Sequence, residues 1–362
     1  MKEIKFRANE PLLADSLLDN LSRVFEERYL SPGPWVTRFE EKWANVCSAS
    51  YAVGTSSGTA ALHLALLACD IGPGDEVIVP AMTCPDTLNA VLFAGAQPVI
   101  VDIENQRFGI DPKSIDEAVT LATKAIIPVH MYGCPTDPEV YDIAERRGLK
   151  VVEDCAEAHG ADINGKLVGT IGDVGCFSFR GDKLIGIGTG GMVVTDDEHI
   201  RDRANYLIGL ASPSGFDRYA STEIGYSYEM SNVHAAIGVS QVDVMDETIR
   251  AKRGVAACYD ALLPDTVVRK PIQFAGHVYW RYVILLNRGQ PRDVHEKLLE
   301  LGIETLPPFV PMYRLPMYNC NRPYTDFTVS EDVYERLLCL PASPYLRQSE
   351  VEYIVDSLLS VL

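Results

Sequence analysis

The chain has 362 residues, with 32 Lys plus Arg against 50 Asp plus Glu and a formal charge of −18 when histidines are neutral. Its 47% hydrophobic and 23% charged residues exclude a disordered or fibrous chain, and its length suits two domains, or one large domain with a smaller satellite. An excess of acid without any basic run argues against nucleic acid as a partner, since that binding needs a basic face to release counterions.

The opening MKEIKFRANEPLL carries charges where a secretory leader needs its apolar region, and no stretch approaches the ~18 uncharged apolar residues of a membrane span. The expectation is a cytoplasmic protein without targeting or membrane contact. An amphipathic LLADSLLDNLSRVF within the first 30 residues is expected to pack near the C-terminal unit. From residue 50, β-branched runs alternate with helical patterns: EVIVP (76–80), PVIVDI (98–103), AIIPVH (125–130) and KVVED (150–154). Continuous hydrophobicity in such runs predicts strands buried on both faces, as in a parallel sheet flanked by helices. The third connection is punctuated by Asp137 as cap, Pro138 at the first helical position and Gly148 as stop. GCFSF (175–179) and GGMVVTD (190–196) then flank a turn around Lys183, and helical patterns occupy 197–264. HVYWRYVILL (277–286), PRDVHEKLLELG (291–302) and EVEYIVDSLLSVL read as a smaller α/β domain, with Tyr279, Trp280 and Tyr282 alternating like a core strand. The nine cysteines are scattered without a Cys-x-x-Cys pair, which fits reduced, buried thiols rather than a zinc or disulfide framework.

Ligands of such sheets gather beyond the carboxyl ends of the strands, which directs attention to Pro80, Asp102, His130 and Asp154. Three features stand out. In GTSSGTAALHLALLA (54–68) a small-residue turn opens into a helix, so the N–H groups of Gly58 and Thr59 can face an anion; alone, this is an ordinary Ser/Thr cap. Asp154 ends a buried strand, where a carboxylate needs a cation or a donor; alone, it is a cap or an ion pair. Lys183 lies among glycines and aliphatics in FRGDKLIGIGTGG, where desolvation favours a free, nucleophilic amine; alone, it is a surface lysine at a hairpin tip. Gly186, Gly188 and Gly191 satisfy G-x-G-x-x-G, but a strand follows where a dinucleotide fold needs a helix. Together the three features supply what pyridoxal 5'-phosphate (PLP) requires: a helix N-terminus for the phosphate, a carboxylate for the pyridine nitrogen and a lysine for the aldehyde. His130 and His159 divide evenly between structural and cofactor roles.

Nearly end to end, from GPWVTRFEEKWA (33–44) through SSGTAALHLAL, PVHMYGCP, VEDCAEAHGA, GCFSFRGDK and GYSYEMSNVHAAIG to LGIETLPPFVPMYRLPMY (301–318), the chain resembles the DegT/DnrJ/EryC1/StrS sugar aminotransferases. The resemblance implies the fold-type-I PLP transferase architecture. A mainly parallel seven-stranded sheet flanked by helices is expected within residues 1–250, with a small α/β domain at 251–362. It implies that Lys183 bonds the cofactor and moves protons, that Asp154 meets the pyridine nitrogen, that Ser57, Gly58, Thr59 and Ser178 hold the phosphate, and that Glu157 lies near the 3-oxygen. Cys84 stands where the family has a ring-stacking aromatic residue, Ser227 where an Asn reaches the neighbouring subunit's phosphate, Glu229 where an Arg is usual, and Tyr313 where a substrate-loop His is usual. No metal is implied. The implied reaction passes an amino group from an amino acid, L-glutamate, to a nucleotide-linked keto sugar, a 4-keto-6-deoxyhexose of the GDP-perosamine type, in a homodimer with shared sites. Family dehydratases carry His at the lysine position, so Lys183 points to transamination. Another PLP reaction on the same scaffold, either dehydration or transamination of a non-nucleotide keto-cyclitol, and a catalytically silent regulatory homologue are the alternatives.

Overall fold

The computed structural model describes residues 4–213, 215–217, 219–318 and 326–362. Its strands are β1 (Tyr51–Thr55), β2 (Glu76–Pro80), β3 (Gln97–Val101), β4 (Thr123–Ile126), β5 (Lys150–Asp154), the short hairpin β6 (Asp162–Ile163) and β7 (Lys166–Leu167), β8 (Val174–Ser178) and β9 (Gly191–Thr195). Seven of them form one sheet in the order β1-β9-β8-β5-β4-β2-β3. β9 pairs antiparallel with both β1 and β8, whereas the other pairs are parallel.

Successive strand residues point to opposite faces, and each face has its own core. Val77 and Val79 pack with helices Gly58–Ala68 and Pro85–Phe93, while Ile78 between them packs with Val140 and Ile143 of helix Glu139–Arg147. Val193 of β9 joins the first of these cores, and its neighbours Met192 and Val194 join Phe39 and Trp43 on the opposite face. Burial on both sides explains why the runs are continuously apolar. The stop of helix Glu139–Arg147 holds, Gly148 closing it with φ of 65°, but its start lies one residue later than read: Pro138 is the N-cap rather than the first helical residue, and Asp137, just before it, accepts from the Glu139 N–H at 2.9 Å.

Two strands differ from the sequence reading. AIIPVH is a regular strand only as far as Ile126; Pro128 has no N–H to give, and pairing resumes as a single parallel bridge at Val129, where the Pro128 carbonyl accepts from Asp154 and the His130 N–H returns to the Asp154 carbonyl at 3.1 Å. HVYWRYVILL is not one strand either, since Tyr279 takes φ of 50°, a left-handed turn that delays pairing until Tyr282.

A second, antiparallel sheet joins β10 (Val268–Arg269), β11 (Tyr282–Leu286) and β12 (Leu337–Leu340) in that order. Helix Met245–Leu262 serves both cores: Ile249 packs with the seven-stranded sheet, and Val255, Ala256 and Tyr259 pack with the three-stranded one. Near the start of the chain, Phe6 exchanges backbone bonds with Gly302 and Glu304, and the Ala342 N–H donates to the Ala8 carbonyl. Helix Leu17–Glu27 lies instead against helix Asn232–Val242, where Asn20 donates to the Ser240 hydroxyl at 2.7 Å. All eight described cysteines are free, and Cys320 lies outside the described residues. Among the described residues no helix is long and apolar enough to cross a membrane.

Candidate active site

A cavity of about 250 Å³ opens at the carboxyl ends of β5 and β8, lined by Ser57, Gly58, Thr59, Cys84, Asp154, Glu157, Ser178 and Lys183. Eight sequence-predicted residues from five separate segments thus meet at one place. Helix Gly58–Ala68 is apolar all round because it is sunk into the core, and Ser57 caps it by accepting the Ala60 N–H at 3.1 Å. The first-turn N–H groups of Gly58 and Thr59 have no acceptor within the helix and point to the cavity end. At Gly58 an added Cβ would sit 2.7 Å from the Ser178 Cβ and 3.2 Å from its hydroxyl. Only glycine lets the helix end approach Ser178 so closely.

Asp154, the last residue of β5, is buried; its carboxylate accepts from the Thr87 hydroxyl at 2.8 Å and the Ala156 N–H at 3.1 Å. Burial raises its pKa, against the lowering effects of the Thr87 and Ala156 bonds and of the Lys183 charge. A cationic ring nitrogen set against it would favour the carboxylate further. Lys183 is only 6% exposed. Its turn is folded inward, held by backbone bonds between Phe179 and Gly190 and between Gly181 and Gly188, with Leu184, Ile185 and Ile187 buried. The surface-lysine alternative is thereby removed. The amine lies 3.8 Å from Glu157 and 4.0 Å from the centroid of the Trp280 ring.

Glu157 accepts the Tyr132 N–H at 2.8 Å, a donor aimed by the left-handed φ of 57° at Tyr132. Burial raises the Glu157 pKa, with Lys183 and Arg281 opposing. The Cys84 thiol donates to Asp86 at 3.1 Å and is pushed up to about 12 by burial, so it lines the cavity as a neutral group. Ser227, Glu229 and Tyr313 do not line the cavity. Ser227 and Glu229 lie exposed on the segment after Gly225, whereas Tyr313 is buried, stacked on Phe327 at 4.0 Å and donating to Glu331 at 2.6 Å.

Both ambiguous histidines are structural. His130 sits 3.1 Å from Glu153 and accepts the Thr136 N–H, while Glu153 also takes bonds from Tyr141, Ile171 and Gly172. His159 lies among Trp43, Phe177 and Phe179, and burial holds its pKa down to about 3. Thr87, Arg180 and Trp280 belong to the site surroundings without having been singled out for it. Thr87 is recognisable only through its bond to Asp154, and Trp280, read as small-domain core, instead covers Lys183. The charge of Arg180 so near Lys183 in FRGDK was the available sign, and Arg180 does line the cavity.

Residues 12–359 match the DegT/DnrJ/EryC1/StrS aminotransferase family. The chain is 40% identical over 331 residues, 91% of this chain and 90% of the other, to the GDP-perosamine synthase of Escherichia coli O157:H7. It is 36% identical to the UDP-N-acetyl-3-dehydro-alpha-D-glucosamine 3-aminotransferase of Acidithiobacillus ferrooxidans, covering 97% of this chain and 95% of that one. Its fold superposes on that of S. venezuelae DesV with a TM-score of 0.89 and 30% identity, covering 95% and 94% of the two chains. The chain belongs to the DegT/DnrJ/EryC1/StrS aminotransferase family and is a fold-type-I, PLP-dependent aminotransferase. The cavity fits that cofactor: the close approach of Gly58 to Ser178 leaves a cradle for a phosphate at a helix N-terminus, and a buried carboxylate and a buried amine stand on its other walls.

Proposed function

We propose that this aminotransferase moves an amino group from L-glutamate to a nucleotide-linked 4-keto-6-deoxyhexose of the GDP-perosamine type. The juxtaposition of Lys183 with Asp154 and Glu157 in one buried cavity carries the chemical half of this reading. The names of the relatives at 36–40% identity support the sugar half. PLP, when bound, supplies an aldehyde for amines and a ring that withdraws electrons.

In this reading Lys183 would hold the cofactor's aldehyde and would serve as the acid/base at the carbon beside the transferred nitrogen. Asp154, oriented by Thr87 and Ala156, keeps the pyridine nitrogen protonated. Ser57, Gly58, Thr59 and Ser178 hold the phosphate, Glu157 faces the 3-oxygen with its free oxygen, and Cys84 packs on the ring. Ser227 serves the cavity of a neighbouring copy in a cytoplasmic homodimer, and Glu229 and Tyr313 act toward the substrate. The domain division falls inside helix Met245–Leu262, near residue 250, where its packing passes from one core to the other.

The test is the visible spectrum of the protein with PLP before and after L-glutamate, beside Lys183→Ala, followed by mass analysis of the product from a GDP-linked 4-keto-6-deoxyhexose. A lysine-dependent yellow band that glutamate bleaches, followed by an aminated sugar nucleotide, is the expected result. Bleaching without an aminated sugar nucleotide would refute the sugar reading, and a band that glutamate leaves unchanged would refute the donor.

A further inference from the structure

We propose that Trp280 is a further residue of this active site: its indole face is the seat of the Lys183 amine, and Lys252 and Asn9 are positioning residues that hold the seat. The proposal rests on Lys183 being the working amine.

Trp280 is fully buried, and its ring carries the Lys183 nitrogen at 4.0 Å and the Arg281 guanidinium at 4.1 Å. Four hydrogen bonds close a circuit around it. The indole N–H donates to the carbonyl of Asp182, the residue just before Lys183, at 2.7 Å. The Trp280 carbonyl accepts from the Lys252 Nζ at 3.2 Å. Lys252 also donates to the Asn9 side chain at 2.8 Å, and Asn9 donates back to the Asp182 carbonyl. The third Lys252 donor goes to the Ala342 carbonyl at 2.6 Å. Ring and lysine turn are thus tied to one another through the same carbonyl.

A fully buried lysine without a carboxylate partner is costly, so its placement calls for a reason. Here the three oxygens come from three remote segments, and no apolar side chain could satisfy them. The chemistry gives a reason for the aromatic seat as well. Lys183 must alternate between charged and neutral forms, and a π face stabilises the cation modestly, whereas a tight ion pair would lock the proton in place. Glu157, the nearest carboxylate, stands off at 3.8 Å. Asp154 and Asp182 also act on the amine from the acidic side, and His159 shares its field.

The decisive experiment titrates the visible band of the PLP-loaded protein against pH in wild type, Trp280→Leu, Trp280→Phe and Lys252→Met. Loss of the π face disfavours the protonated nitrogen, so Trp280→Leu moves the midpoint down by about half a unit to one unit. Trp280→Phe keeps a weaker face and moves it less, in the same direction. Lys252→Met shifts it likewise and lowers kcat of the glutamate half-reaction by about tenfold with KM little changed. Midpoints and rates equal to wild type in folded variants overturn the seat, and should Trp280→Leu not fold, Trp280→Phe and Lys252→Met decide by the same criterion. A wild type without any Lys183-dependent band refutes the underlying functional reading instead.

Discussion

Gly58 shows how one missing methyl group shapes the cavity. The atoms an alanine would strike belong to Ser178, at the end of a sheet strand, rather than to the tip of a flexible chain. Gly58→Ala therefore separates the helix end from Ser178 and weakens PLP retention by about tenfold or more, read by equilibrium dialysis. Asp154→Asn preserves shape and loses charge; it slows the glutamate half-reaction by about 100-fold or more in stopped-flow absorbance, while leaving the fold intact. Burial lowers His159 to about 3 in the folded chain from an ordinary histidine value of 6.5. The folded state thus refuses a proton that the unfolded chain takes, so its contribution is fully present above pH 6.5 and is lost as pH falls toward 3. His159→Phe lacks this loss, and below about pH 6 its unfolding free energy gains on wild type by about 1.4 kcal/mol per pH unit, measurable in urea titrations at about pH 7, 6 and 5.

At the scale of elements, strand existence and the lysine turn were legible because local pattern determines them: burial on both sheet faces demands unbroken apolar runs, and a cap followed by small residues demands a helix start. What pattern cannot show is where a turn redirects a side chain. Tyr279, Trp280 and Tyr282 have the alternation of a strand, yet the left-handed Tyr279 sends Trp280 toward Lys183 while Tyr279 and Tyr282 stay with the other core. Thr87 was illegible for a related reason, since a hydroxyl one turn into a helix gains its role only from the strand end it meets. Asp102, noted at the end of β3, caps a distant element: its carboxylate accepts from the N–H groups of Val329 and Ser330 at 3.0 Å each, in helix Thr328–Arg336. Asp102→Ala leaves those donors buried and costs about 1–3 kcal/mol in urea unfolding.

For the molecule as a whole, the net charge of −18 makes local cation placement decisive. Arg180, Lys183 and Arg281 stand at or beside the cavity, each near an acid that restrains it: Arg180 binds Asp182 through two hydrogen bonds, and Arg281 approaches the same carboxylate at 4.0 Å. The start of the described chain is also bound to the three-stranded unit, Phe6 to Gly302 and Glu304 and Ala8 to Ala342. Removal of residues 1–9 deletes Asn9 with this pairing, and the expected result is a melting temperature lower by about 4 °C or more, together with the downward shift in the pH midpoint of the visible band predicted for Lys252→Met.

The hydrogen-bonded circuit beneath Lys183 bears on the order in which a nascent chain becomes an enzyme. Synthesis has delivered Ser57, Asp154 and Lys183 by about the midpoint of the chain, but Lys252, Trp280 and Ala342 emerge much later. A ribosome-bound chain can therefore present the reactive amine long before it can seat it. The seat of that amine is complete only once residues up to Ala342 have been made, so the finished geometry of the cavity waits for almost the whole polypeptide.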